Sequence, residues 1–169
     1  FTFRNENSSK NWATGYDFPA LTKGWVIKAE LADGNMANGQ SFVFNLRREK
    51  FSDPRVREAI GLMFNFEWSN TTLFYGLYAR INSFWENSDL AATGLPSPDE
   101  LTLLETLKDK IPPAVFTEDP VMAPVSGDKQ LDRGNLRKAS ALRDEAGWEV
   151  GDDGMRSNAK GETLKVEFL

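Results

Sequence analysis

Residues 42–60, Phe-Val-Phe-Asn-Leu-Arg-Arg-Glu-Lys-Phe-Ser-Asp-Pro-Arg-Val-Arg-Glu-Ala-Ile, constrain the fold of this chain more than any other stretch. A short apolar run leads through a basic turn into a helix whose start is spelled out. Asp53 is a good N-cap, and Pro54 suits the first helical position, where a missing N–H costs nothing. Val56, Ala59, Ile60, Met63 and Phe64 recur at i, i+3, i+4, i+7 and i+8, which predicts one apolar stripe along a helix from 54 to 64. Strand, basic turn and buried helix follow from local chemistry alone.

Further elements read outward from this segment. Phe1–Arg4 and 164–169 alternate like strands, as do Trp25–Leu31 and Ser41–Leu46. Asn7 to Gly15 forms a polar turn or short helix. A second, aromatic-rich helix is expected from Glu67 to Tyr75, with Gly76 ending it in the left-handed conformation. Ser97-Pro98-Asp99-Glu100 opens a helix to Lys108, and residues 111–130, with four prolines, form an extended loop. Asp132 begins the last helix, stopped at Gly147 with Trp148 packing back. The mixture of helices and strands predicts an α/β or α+β class.

Composition removes several function classes. The 169 residues suffice for one domain, and net charge −5 without a basic stripe argues against nucleic acid as a partner. No apolar run approaches the ~20 residues that cross a bilayer, so the chain is not membrane-spanning. Cysteine and histidine are both absent. Thiolate nucleophiles, thiolate or imidazole metal sites and an imidazole proton shuttle are therefore excluded. No cofactor is expected. Phe1 in place of an initiator methionine, and strand-like alternation at both ends, predict a piece of a larger protein.

Motifs with a chemical reading are few. Gly151-Asp-Asp-Gly154 lacks the alternating oxygen ligands of a calcium loop and reads as a hairpin turn. Arg47, Arg48, Lys50, Arg55 and Arg57 form a basic cluster that reads as a solvated turn and helix face, with Asp53 and Glu49 as partners. Trp68, Phe74, Tyr75, Tyr78, Phe84 and Trp85 crowd one span, mostly as packing. Within it, Arg80-Ile-Asn-Ser-Phe-Trp-Glu-Asn87 mixes rings, amides and charges without periodicity, as binding loops do.

Taken in order, Phe44-Asn-Leu-Arg-Arg48, Phe51-Ser-Asp-Pro-Arg-Val-Arg-Glu-Ala-Ile60, Phe64-Asn-Phe-Glu-Trp68, Leu73-Phe-Tyr-Gly76, Asn82-Ser-Phe84, Glu86-Asn-Ser88, Ala91-Ala-Thr-Gly-Leu-Pro96 and Glu145-Ala-Gly-Trp148 resemble family 5 of the extracellular solute-binding proteins. These are the peptide-, nickel- and microcin-type substrate receptors of ABC importers. The wording is similar to the oligopeptide and microcin-type branch. The resemblance implies a two-lobed type II periplasmic binding fold, with residues 1–38 ending the first lobe and 39–169 forming the first part of the second. It implies a periplasmic protein that takes peptides or peptide-like solutes, closes two lobes around them, and delivers them to an ABC permease. It is not an enzyme on this reading. The expected ligand contacts are Gln40, Phe42 and Asn45 near the crossing strand, and Arg80, Asn82 and Phe84 on the aromatic loop. Two other readings stay open: a carboxylate hydrolase using Glu86 and Asp89, and an interaction module using the basic turn. The local agreement of cap, proline and stripe in 53–60 marks that segment as scaffold.

Overall fold

The computed structural model describes residues 2–168. They form two compact units, one of residues 2–23, 41–78 and 124–168, the other of residues 24–40 and 79–123. Each is described by itself.

The first unit carries α1 (Ser9–Thr14), α2 (Pro19–Thr22), a 3₁₀ turn (Glu49–Phe51), α3 (Pro54–Leu62) and α4 (Phe66–Leu73). It also carries α7 (Arg133–Glu145) and the antiparallel pair β1 (Glu149–Val150) and β2 (Arg156–Ser157). Its centre is α3 packed on α7. Ala59, Leu62 and Ala139 are buried together, with Leu142 against them. Phe51, Val56 and Trp148 are buried as well. Two alanines with no exposed surface, one on each helix, bring the helices together without bulky side chains between them.

Caps explain why these helices start where they do. The Asp53 carboxylate accepts the Arg55 N–H at 2.8 Å, the Asn65 side-chain Oδ1 the Trp68 N–H at 2.9 Å, and the Asp132 carboxylate the Asn135 N–H at 2.9 Å. Each satisfies an orphan donor of a first turn. At the other end of α7, Gly147 takes φ +79°. Its N–H reaches the Asp144 carbonyl, while the Trp148 N–H reaches the Arg143 carbonyl, both at 2.9 Å. This 5→2 and 6→1 pair is a Schellman motif, and it turns Trp148 back into the core as expected.

The second unit holds α5 (Pro98–Glu105) and α6 (Ala114–Thr117). The expected cap of α5 is a full capping box: Ser97 Oγ accepts the Glu100 N–H, and the Glu100 carboxylate accepts the Ser97 N–H at 2.7 Å. None of the described residues with a buried side chain belongs to this unit. It is held by polar clamps rather than by an apolar centre.

Several expectations need correction. Trp25–Leu31 and Ser41–Leu46 are not strands: among the described residues neither belongs to a β-ladder, and the sheet is the β1–β2 ribbon alone. Alternation makes a segment fit a sheet, but the ladder needs an edge to pair with. Phe1 and Leu169 lie outside the described residues; Thr2–Arg4 is irregular, and near the other end Thr163 bridges Ser157. Among the described residues helices therefore far outweigh strands. The helix expected to reach Phe64 stops at Leu62, so Leu62 is buried while Met63 and Phe64 are 42% and 48% exposed. Once the helix ends, the 3.6-residue phase no longer carries side chains to the same face. After α4 the first left-handed residue is Tyr75, at φ +59°, followed by Gly76 at +74°. The helix expected to run to Lys108 ends at Glu105, and α6 interrupts the loop of 111–130. The Gly151–Gly154 stretch is the hairpin turn between β1 and β2, closed by the Gly151 N–H on the Met155 carbonyl at 2.8 Å.

Candidate functional site

The expected ligand residues fall in separate units. Phe42 and Asn45 belong to the first. Phe42 is 79% exposed, and its ring stands edge-on to Phe168 with centroids 4.8 Å apart. The Asn45 side-chain oxygen accepts the Arg47 N–H at 3.2 Å and Arg47 Nε at 3.3 Å, which shapes the basic turn.

Gln40, Arg80, Asn82 and Phe84 belong to the second unit. Gln40 is exposed and follows Gly39, whose backbone passes close to Ile81: a β-carbon there would lie 3.5 Å from Ile81 Cδ1. Arg80 is half-buried. Asn82 is a brace. Its side-chain oxygen accepts the Ala123 N–H at 3.1 Å, and its own N–H donates to the Glu86 carboxylate at 3.2 Å.

Phe84 is fully exposed, and Trp85 beside it is 49% exposed. Leaving an aromatic ring in water forgoes about 1.5–3 kcal/mol of burial free energy. The turn that carries the ring is closely braced. Ser83 Oγ accepts the Trp85 N–H at 3.1 Å, and Ser88 Oγ donates to the Trp85 carbonyl at 2.6 Å. The Glu86 N–H reaches the Ser83 carbonyl at 3.2 Å. These hydrogen bonds fix the backbone on which the exposed ring stands.

Sequence reasoning named the Arg80–Asn87 segment but missed what Asn87 does. Its side-chain Nδ2 donates to the Asp33 carbonyl at 2.8 Å and the Asn35 carbonyl at 2.6 Å. Asparagine in a polar turn tolerates left-handed backbone, which was the available signal. The partners 52 and 54 residues away were not visible locally.

The two other readings meet specific contacts. One Glu86 carboxylate oxygen accepts a backbone amide. In the basic cluster, Lys50 donates to the Lys165 carbonyl. Arg55 donates to the Glu145 carbonyl at 2.7 Å, and Arg57 to the carbonyls of Phe51 and Ser52 at 2.7 and 2.9 Å. Glu49 pairs with Lys160 at 2.6 Å, and Asp53 with Arg55 at 2.6 Å. These cations work as internal braces. In the first unit, an open depression of about 380 Å³ is lined by Asp17, Phe18, Pro19, Thr22 and Lys23, and no expected ligand residue lies in its wall.

Comparison with known proteins now bears on the whole. The family model described as bacterial extracellular solute-binding proteins, family 5 Middle, matches residues 3–169. A probable peptide-binding protein YejA of Agrobacterium fabrum is 48% identical over 169 residues, covering 99% of this chain and 27% of that protein. An uncharacterized protein YejA of Escherichia coli is 41% identical, covering 100% and 28%. A peptidoglycan-binding protein YepA of Agrobacterium fabrum is 31% identical, covering 96% and 26%. The chain thus spans about a quarter of the length of these relatives. With nearly every residue matched, the chain belongs to the bacterial extracellular solute-binding proteins of family 5.

Proposed function

We propose that this chain is part of the substrate-binding component of an ABC importer, which captures peptides or peptide-like solutes outside the cytoplasm and hands them to an inner-membrane permease. Capture works by closure of two lobes and involves no covalent chemistry. Family membership supports the transport role, and the 48% identical relative named a probable peptide-binding protein supports the cargo. Among the described residues no helix is long and apolar enough to cross a membrane, consistent with a separate permease.

The observation that carries the site is the fully exposed Phe84 on its braced turn. In this reading Phe84 takes an apolar side chain of the ligand, while Gln40, Arg80 and Asn82 serve its polar groups. Phe42 and Asn45 are further contacts, proposed on their exposure. Residues 1–38 close the first lobe and residues 39–169 begin the second. Peptides of many sequences share their main-chain groups, so polar contacts to those groups plus an apolar contact suit broad recognition.

The test is a thermal scan of the complete protein carrying this chain against Ala-Xaa-Ala tripeptides. A rise of several degrees, with the peptide recovered intact, is the expected result. Hydrolysed peptide, or no rise across the set, overturns the proposal. The relative named a peptidoglycan-binding protein supplies the second arm. A rise with peptidoglycan fragments but with none of the tripeptides replaces the peptide reading.

A further inference from the structure

Only two described residues other than glycine have positive φ, Tyr75 and Asn87. Tyr75 is accounted for by its place directly after α4, next to Gly76. Asn87, at φ +63°, follows no helix. Asparagine visits this region more readily than other side-chain-bearing residues, yet glycine would take it more easily still. The side chain explains the choice. Its amide NH₂ has two protons, and both are used, on the carbonyls of Asp33 and Asn35. Aspartate has no donor there, and glycine has no side chain.

The acceptor turn is itself held in shape. Asp33 Oδ1 accepts the Asn35 N–H at 2.9 Å and Asn35 Nδ2 at 2.6 Å. One residue before Asn87, the Glu86 carbonyl accepts the Ala37 N–H at 3.0 Å. Three hydrogen bonds therefore fasten the Ser83–Ser88 turn to residues 33–37, and two of them come from one side chain. Phe84 stands on that turn with no burial of its own to hold it.

We propose that Asn87 is a positioning residue for ligand capture, fixing the place of the Phe84 ring by clamping its turn to the Asp33–Asn35 turn. This rests on the reading of Phe84 as a ligand contact. Asn87 need not touch the ligand. Its contribution is preorganisation: a ring already held in place loses less freedom on binding.

The experiment measures Ala-Phe-Ala affinity calorimetrically for the complete protein, with Asn87→Gly and Asn87→Asp made in the parent and in a Phe84→Ala background. Glycine keeps the backbone conformation and removes both bonds; aspartate keeps the shape and removes the donors. Each should weaken binding about three- to tenfold in the parent. With Phe84 truncated, either change should alter affinity less than about twofold, because sites acting through one another are not additive. Equal losses in both backgrounds, or failure of both variants to fold, assign Asn87 a general structural role and overturn the proposal. Parent-like affinity of the Asn87 variants alongside a weakened Phe84→Ala overturns it while leaving Phe84 a ligand contact. Unchanged binding by Phe84→Ala removes that contact and the proposal together.

Discussion

Arg55, in the first turn of α3, donates through Nη1 to the carbonyl of Glu145, in the last turn of α7, at 2.7 Å. The bond joins two helix ends of opposite polarity and satisfies a carbonyl that α7 itself leaves unpartnered. The same guanidinium grips the capping carboxylate of Asp53 at 2.6 Å. Asp53 and Arg55 thus hold one helix pair at its corner. Arg55→Lys should keep the charge but lose the fork that serves both partners. A fall in Tm of roughly 2–4 °C is expected, with peptide affinity unchanged in the complete protein; unchanged Tm would show that the bond contributes nothing.

The α3–α7 contact is also the apolar centre. Val56 has no exposed surface, so Val56→Ala should cost about 2 kcal/mol in chemical denaturation. Ala139 is equally enclosed, and Ala139→Leu should cost about 1–3 kcal/mol by overpacking. A neutral result at Ala139 would mean that the helices separate easily.

Asn65 caps α4 and donates to the carbonyls of Gly127 and Lys129 at 2.9 and 2.8 Å. Asn65→Asp preserves the cap but turns both donor contacts into facing oxygens. Leaving these buried groups unmatched should destabilise by about 1–3 kcal/mol, and residues 125–130 should exchange amide protons faster. If Asn65→Asp and the parent exchange alike there, the two bonds do not hold the loop.

Acid should weaken the first unit. The Asp132 carboxyl sits below the usual range because the N–H groups of Asn135 and Gly127 bond its charged form. Asp53 is lowered by its hydrogen bonds from Arg55, opposed in part by burial. A folded-state pKa below the unfolded value adds stability that is present above the unfolded pKa and lost as pH falls through the folded one. Tm should therefore drop below about pH 4. Asp132→Asn should keep the cap and flatten part of that drop; an equally steep acid slope in this variant would contradict the assignment.

The second unit has no buried side chain among its described residues, so its opening should cost less than that of the first. In native-state hydrogen exchange, amides of 24–40 and 79–123 should exchange well before those of α3 and α7. Equal protection would indicate that the polar clamps match the apolar centre.

Much of this could be read from neighbouring residues. A cap, a capping box or a Schellman glycine involves side chain and backbone only two to five positions apart, so Asp53, Ser97, Asp132 and Gly147 announced their helices. The scaffold role of 53–60 was legible for the same reason, and the ordered phrases pointed to the family that the comparisons show.

Other features depended on partners far along the chain. Trp25–Leu31 and Ser41–Leu46 alternate as strands do, yet neither forms a ladder among the described residues. Aromatic density said nothing about which rings face water, and Phe84 ended fully exposed while Phe51 was buried. The grip of Asn87 on residues 33 and 35 spans more than 50 positions. Hydrogen bonds within a turn cost little chain entropy and leave a local trace, whereas long-range closure is decided by the whole packed chain.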